Sequence, residues 1–450
     1  MLTMQDNENE LSILETIAKT AQKLGADDCD AICVKSISLS ICQRMGSMEK
    51  IERSESSDIG IRVFVGKKQA IVSSSDVTKS ALQQVAERAV AMAKAAPEDS
   101  YCGLASKNQL SKKPADIDSF DPVEPDTDTL IKWTREAEEA ALSVKGVTNS
   151  EGAEADWGKG EVSVYATNGF AETYKGSHYS LSASVLAGSG TEMERDYEYS
   201  GTVYGTDLMN AEDLGKIAGN RAVRRLEPKK INTSQVPVIF DSRVSRSLIS
   251  HLAGAINGAA IARNTSFLLN KMNEQLFQDS VSIVDEPHRA RGLRSVPFDS
   301  EGLSNKKINI VEDGVLKSWL LDLRSSRQLK LHSTGHASRG VSSLPSPSPT
   351  NLYLAPGKKS VTDLIDPIKE GFFVNELIGS GVNGLTGDYS RGASGFWIEN
   401  GEILFPVSEV TIAGNLLDMY KNLSPASDLD FRYGIDAPTC RVDGMTVAGK

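Results

Sequence analysis

A few short stretches carry the side chains best suited to chemistry, and their spacing decides what each can do. Asp388-Tyr389-Ser390-Arg391 places a carboxylate, two hydroxyls and a guanidinium in succession within the glycine-rich segment GLTGDYSRGASG. Its donors and acceptors could hold an extended peptide backbone, as strand addition does. The plainer expectation is a glycine loop whose aspartate and arginine cap local backbone groups. Glu192, Glu194, Arg195 and Asp196 form a charged cluster, for which a solvated strand edge is expected rather than a site. His332 and His336 have i,i+4 spacing, but Ser333-Thr334-Gly335 between them disfavours a helix. Without a neighbouring carboxylate to complete a metal set, a turn with His336 in a structural hydrogen bond is expected. Gly379-Ser380-Gly381-Val382-Asn383-Gly384 matches GxGxxG. A dinucleotide site would need a helix to open there and hold the pyrophosphate, whereas LTGDYSRGASG reads as loop. The match is taken as accidental. Gly392-Ala393-Ser394-Gly395-Phe396 fails the GxSxG pattern at its last position, and no phosphate loop of the GxxxxGK type occurs.

The elements that must position these residues alternate between helix and strand. Leu11, Leu14, Ile17, Ala18, Ala21 and Leu24 recur at helical spacing, with Gly25 as a stop. Strand-like segments follow at Ile32–Ile41, Ile59–Val65 and Ala70–Ser73; Asp76 is the expected cap of a second helix. The polar stretch Lys112–Pro125 reads as a linker. Asp126 or Asp128 should cap a third helix running to Lys145. Strands at Glu161–Ala166, Phe170–Tyr174 and Leu181–Ala187 and a helix over Asp207–Leu226 complete a second section. Pro228–Pro237 marks a further boundary, followed by a strand at Val238–Phe240 and a helical pattern over Ser242–Ala262. Hairpins are expected at Asp313–Gly314 and Asn400–Gly401, the second joining Phe396–Glu399 to Glu402–Val407. SLPSPSPTN, Ser343–Asn351, must be extended because its prolines remove donors and restrict their neighbours. The fold class is therefore α+β and multi-domain. The expected divisions are an N-terminal α+β domain at 1–115, a central one at 116–232 and a larger sheet-rich C-terminal domain at 233–450.

The 450 residues are too many for one small core, and 40% hydrophobic with 24% charged residues is ordinary globular composition. A net charge of −11 argues against a nucleic-acid binder, which needs clustered Lys and Arg. Five cysteines (Cys29, Cys33, Cys42, Cys102, Cys440) are sparse and odd in number, fitting reduced thiols and a cytoplasmic setting. No signal peptide is visible, and no apolar run approaches the ~20 residues of a membrane span.

The wording of several segments is more specific than their periodicity. GLTGDYSRGASGFWIENGEILFPVSEVTIAGNL (Gly384–Leu416), MERDYEYS (Met193–Ser200), VPFDSEG (Val296–Gly302), STGHA (Ser333–Ala337) and the terminal TVAGK closely resemble the PmbA/TldE half of the TldD/TldE peptidase family, also called modulators of DNA gyrase. The resemblance extends over nearly the whole chain. It implies that the Asp388–Arg391 loop lies near the cavity of an assembled protease.

In that family the TldD subunit carries a His-Glu-x-x-x-His helix, with two metal-binding histidines and a glutamate base. Histidines five residues apart sit about 140° apart on an ideal helix, so such a helix needs local distortion. The matching segment is LISHLAGAINGAA, Leu248–Ala260: Ser250 stands for the first histidine, His251 for the glutamate and Ala255 for the second histidine. A late cysteine also serves TldD chains, and Cys440 lies too far downstream to match it. No metal ligand or catalytic residue is therefore expected here. The small residues Ala253, Gly254, Ala255, Gly258, Ala259 and Ala260 suit close helix packing.

The resemblance thus implies a non-catalytic TldE/PmbA-type subunit, without a cofactor of its own, beside a TldD-type partner that holds zinc. Together they would degrade or trim unfolded peptides, including microcin-type precursors and labile antitoxins. A homodimer is conceivable when the chain is alone. The alternative classes are a DNA gyrase-modulating binding protein acting without proteolysis, and a metal-free hydrolase using Ser250 and His251. The last would require an acid beside that pair.

Overall fold

The computed structural model describes residues 7–449. Its N-terminal half is built on one antiparallel sheet: β1 (Asp28–Arg44), β2 (Ser47–Val65), β3 (Lys68–Ser74), β4 (Val147–Ala166), β5 (Ala171–Ala187) and β6 (Glu194–Thr202), in the order β3-β2-β1-β4-β5-β6. β1 pairs with β4 from Asp30↔Ala166 to Gln43↔Ala153, so the sheet runs unbroken across the boundary expected at 115/116. The expected strands are present but longer, and those expected at Phe170–Tyr174 and Leu181–Ala187 are one strand, β5. Their ends are set by pairing partners far along the chain, which local composition does not reveal.

Side-chain alternation explains what covers the sheet. On β1, Cys29, Ala31 and Cys33 pack with α1 (Asn7–Lys23) and α2 (Lys79–Ala95). Ile37, Leu39 and Ile41, on the same face, pack with α3 (Thr127–Leu142) and α4 (Ala211–Arg224). The opposite face offers Ile32 and Val34 to Phe298 of the C-terminal half, then leaves Ser36 and Ser40 half-buried and Ser38 exposed. The helix caps follow local chemistry. Asp126 caps α3 as expected, Thr78 rather than Asp76 caps α2, and Asn210 caps α4. Asp76 instead accepts the Thr78 backbone N–H at 2.8 Å, two residues too early to open the helix.

The C-terminal half is centred on β7 (Ser234–Phe240), which runs parallel to the strand Glu370–Ile378 and antiparallel to Cys440–Ala448. Strands Asp388–Glu399 and Glu402–Asn415 continue from Glu370–Ile378. Thr411–Ala413 then pairs with Thr446–Ala448, closing a barrel. The Asn400–Gly401 turn has φ of 51° and 82°, the mirror-image turn expected of Asn-Gly. Asp313–Gly314 turns the same way, with φ of 48° and 78°.

The helical pattern at Ser242–Ala262 is not one helix. It divides into α5 (Ser242–Ala255) and α6 (Gly258–Ala262), with the Asn257 side chain accepting from the Ala259 and Ala260 amides. A Cβ at Gly258 would lie 2.7 Å from the Leu320 carbonyl, so this glycine is required by close approach. Gly254 has open space around it and is exposed, so the small-residue run does not pack tightly throughout. Among the described residues no helix is long and apolar enough to cross a membrane.

Candidate functional site

Several of the singled-out stretches, distant in sequence, meet at one cleft. It holds about 400 Å³ and lies where β6, α5 and the barrel strands come together. Arg195 and Tyr197 come from β6, Arg243, Arg246, Ser250 and His251 from α5, and Asn375, Glu376 and Arg391 from the barrel. Strand and helix periodicity select these residues, while chain topology brings them together.

On α5 the apolar residues Leu248, Ile249 and Leu252 are fully buried. That anchors the helix and turns Ser250 and His251 towards the cleft. Ser250 Oγ donates to the Arg246 carbonyl at 3.1 Å, a bond within the helix that leaves no base to activate it. The His251 ring meets Tyr389 edge-on, with centroids 6.1 Å apart. Its Nε2 is buried without a hydrogen-bond partner. Burial, with the Arg391 charge adding to it, holds its pKa below the ordinary histidine value, so the ring is neutral near pH 7. No acid completes a Ser250–His251 pair: Glu376, the carboxylate lining the cleft, is engaged by Arg225.

Asp388–Arg391 is not a loop. It opens the strand Asp388–Glu399, paired from Asp388↔Asn415 to Arg391↔Ile412 on one side. On the other side the Ser390 amide donates to Gly381 O at 2.7 Å and the Asn383 amide to Asp388 O at 2.9 Å. Both edges are filled, so the segment has no free main chain for strand addition. Alternation then separates its side chains. Asp388 and Ser390 are exposed. Asp388 accepts from Thr386 Oγ1 at 2.6 Å and Asn415 Nδ2 at 3.2 Å, which holds its pKa low; both donors are side chains rather than the backbone groups expected. Tyr389 is buried beside His251, and burial pushes its phenol well above the usual range. Its hydroxyl sits beside the Arg391 guanidinium without closing a well-formed hydrogen bond. Arg391 lines the cleft and makes no ion pair with a described carboxylate.

The charged cluster on β6 departs from expectation. Glu192 is exposed, but Asp196 is 2% exposed and lies 2.8 Å from Arg243 Nη1. Glu194 and Asp196 each lie 3.6 Å from Arg225. α4 and α5 cover this edge and supply the cations, which converts it into a buried ion network. His336 behaves as expected. It is buried, with Nε2 3.1 Å from Asp285 and Nδ1 2.9 Å from the Thr334 carbonyl, while His332 is exposed. No helix follows Gly384, in keeping with an accidental GxGxxG match.

Asn375 is the residue that sequence reasoning missed. Val374 pairs with Gly395 and Glu376 with Ser394, so Asn375 is the extra residue of a β-bulge. Its Oδ1 is buried without a partner. Bulges re-aim side chains next to sites, but nothing local in FFVNELI announces one.

Zinc does not fit this donor set. Ala255 has no donor atom, Ser250 is committed to its own helix, and the neutral His251 faces a guanidinium. Cys440 lies on a barrel strand, its Sγ 3.2 Å from Pro438 O, with burial raising the thiol. Among the described residues no three His, Cys, Asp or Glu side chains form a metal-holding group. A second cavity, of about 320 Å³, separates the N-terminal sheet from Val296–Thr350. Ile32, Val34, Val162, Val164 and Phe298 form its apolar wall, and it contains none of the singled-out cleft residues.

Family models described as the PmbA/TldA metallopeptidase C-terminal domain, central domain and domain 1 match residues 233–449, 120–226 and 29–93. Metalloprotease PmbA of Escherichia coli O157:H7 is 36% identical, the match covering 100% of this chain and 99% of the relative. A putative modulator of DNA gyrase from Bacteroides thetaiotaomicron superposes with a TM-score of 0.91 at 25% identity, covering 100% of both chains. TldE from Thermococcus kodakarensis gives 0.86 at 19% identity, covering 97% of this chain and 100% of its own, a likeness of fold.

Proposed function

The chain belongs to the PmbA/TldD metallopeptidase family, and from that premise we propose that it is the non-catalytic, TldE/PmbA-type subunit of a zinc peptidase complex. The observation that carries this reading is the cleft over α5. At the positions matching the family's metal helix stand Ser250, His251 and Ala255, and an unpaired Arg391 shares the cleft with the first two. A fixed cation there opposes a divalent ion, because like charges repel. The zinc would sit on a TldD-type partner, which would supply hydrolysis. This chain would form half of the enclosure and present peptides through Arg391 and its neighbours in the cleft. Unfolded peptides are the expected substrates, microcin-type precursors and labile antitoxins among them. The five unpaired cysteines support a cytoplasmic setting.

The test is to purify the chain with and without a tagged TldD-type subunit, then measure zinc in each component and hydrolysis of an unfolded peptide. The expected outcome is a stable complex whose zinc and activity follow the partner. Chelator-sensitive hydrolysis with stoichiometric zinc in the isolated chain would overturn the proposal. A second reading, a gyrase-binding protein, rests on the name of the Bacteroides neighbour. Retention of purified gyrase by this chain, with no peptidase subunit bound, would favour it.

A further inference from the structure

Buried polar atoms without partners gather around the α5 cleft. They are His251 Nε2, Arg243 Nε, Asn375 Oδ1 and Arg391 Nε, with the Tyr389 hydroxyl beside them. A buried polar group left unpaired costs roughly 1–3 kcal/mol, so such a concentration marks a place where something else completes the bonding. The sign of the charge says what. Arg195, Arg243, Arg246 and Arg391 line the cleft, against Glu376 alone among acids. Glu376 is engaged by Arg225, and Arg243 by Asp196. Arg195 lies 3.6 Å from Glu151, and Arg246 stacks over the Tyr433 ring at 4.2 Å. Arg391 is left with neither carboxylate nor ring partner, and its neighbour His251 is neutral.

We propose that this cleft is a receptor for the carboxylate of a peptide, bound by Arg391 and oriented by Asn375. An arginine without a carboxylate partner is well suited to binding one, since charge-assisted hydrogen bonds are stronger than neutral ones and the guanidinium fork matches a carboxylate. Asn375 Oδ1 adds an acceptor, which a bare inorganic anion could not satisfy but the amide N–H next to a peptide carboxylate can. The pairing of free cation with free acceptor therefore favours a terminal peptide unit, –NH–CHR–COO⁻. The inference rests on the peptide-handling reading above and adds to it which end of the substrate this subunit holds.

The experiment uses the full-length chain without its partner and follows anisotropy of a fluorescent, unstructured octapeptide. Its arms are the free C-terminal acid, the C-terminal amide, and an amide that carries one internal glutamate. The acid should bind at least tenfold tighter than the plain amide. Arg391→Met should remove that difference, Arg391→Lys should keep part of it, and Asn375→Leu should weaken the acid severalfold. Each variant is first checked for an unchanged melting profile; if Arg391→Met does not fold, the Arg391→Lys and Asn375→Leu arms decide. Binding of the glutamate amide as tight as that of the acid would overturn the terminal assignment. Equal binding of acid and plain amide, or a preference left undiminished in the folded Arg391 and Asn375 variants, would overturn the proposal. The subunit reading fails by a different result, zinc and hydrolysis in the isolated chain, so the two can be separated.

Discussion

At the scale of single residues, the donor set on α5 departs from a zinc site at more than one position. Restoring one ligand should therefore restore nothing. Ala255→His places an imidazole at a position now 7% exposed, one that has to shift core neighbours before it can reach the cleft. The other donors would remain a helix-bonded serine and a histidine facing Arg391. We expect Ala255→His to be destabilised by ~1–3 kcal/mol and to gain no stoichiometric zinc, as checked by metal analysis after dialysis. One zinc per chain in that variant would contradict the electrostatic argument. The donor set itself was legible in the sequence, because a side chain's donor atoms are a property of residue type. The role of Arg391 was not. Residue type shows a guanidinium, but only the fold shows that no carboxylate meets it.

At the scale of elements, local signals read well where the backbone itself demands a residue. Asn400–Gly401 and Asp313–Gly314 turn as mirror-image hairpins because both positions need positive φ. Strand lengths read poorly. Asp388–Arg391 looks like loop from its glycines, yet pairing on both edges makes it strand. The break between α5 and α6 was equally hidden, because apolar periodicity continues straight through it. The Asn257 side chain enforces that break by capping Ala259 and Ala260, while its Nδ2 donates to the Pro347 carbonyl at 2.7 Å. Asn257→Ala should cost ~0.5–2 kcal/mol from the lost cap, measured as a lower urea midpoint at unchanged m-value. A neutral result would mean that the Gly258–Leu320 approach alone sets the break.

At the scale of the whole molecule, the cleft exists only while the N-terminal sheet and the C-terminal half stay in register, because β6 supplies one wall and the barrel another. A buried ion cluster ties the two halves together. Asp30 on β1 accepts from Arg62 Nε on β2 at 3.0 Å and from Arg339 Nη1 of the C-terminal half at 2.6 Å. Arg62 also lies 3.6 Å from Glu301. Burial alone would raise the Asp30 pKa, but Arg339 and Arg62 together pull it below the ordinary aspartate value. The sign of the pH effect follows. A carboxylate depressed in the folded state contributes stability above its unfolded pKa of 3.8. That contribution is lost as pH falls towards the lower folded value. Asp30→Asn removes the charge, leaving the buried Arg339 guanidinium without a carboxylate and Arg62 with Glu301 alone. It should cost ~3–5 kcal/mol near neutral pH and flatten the acid limb of the stability–pH profile. Because the cluster bridges the halves, the same variant should weaken peptide binding at the α5 cleft although Asp30 does not line it. Full stability at pH 7 with unchanged acid sensitivity would show that other contacts hold the two halves together.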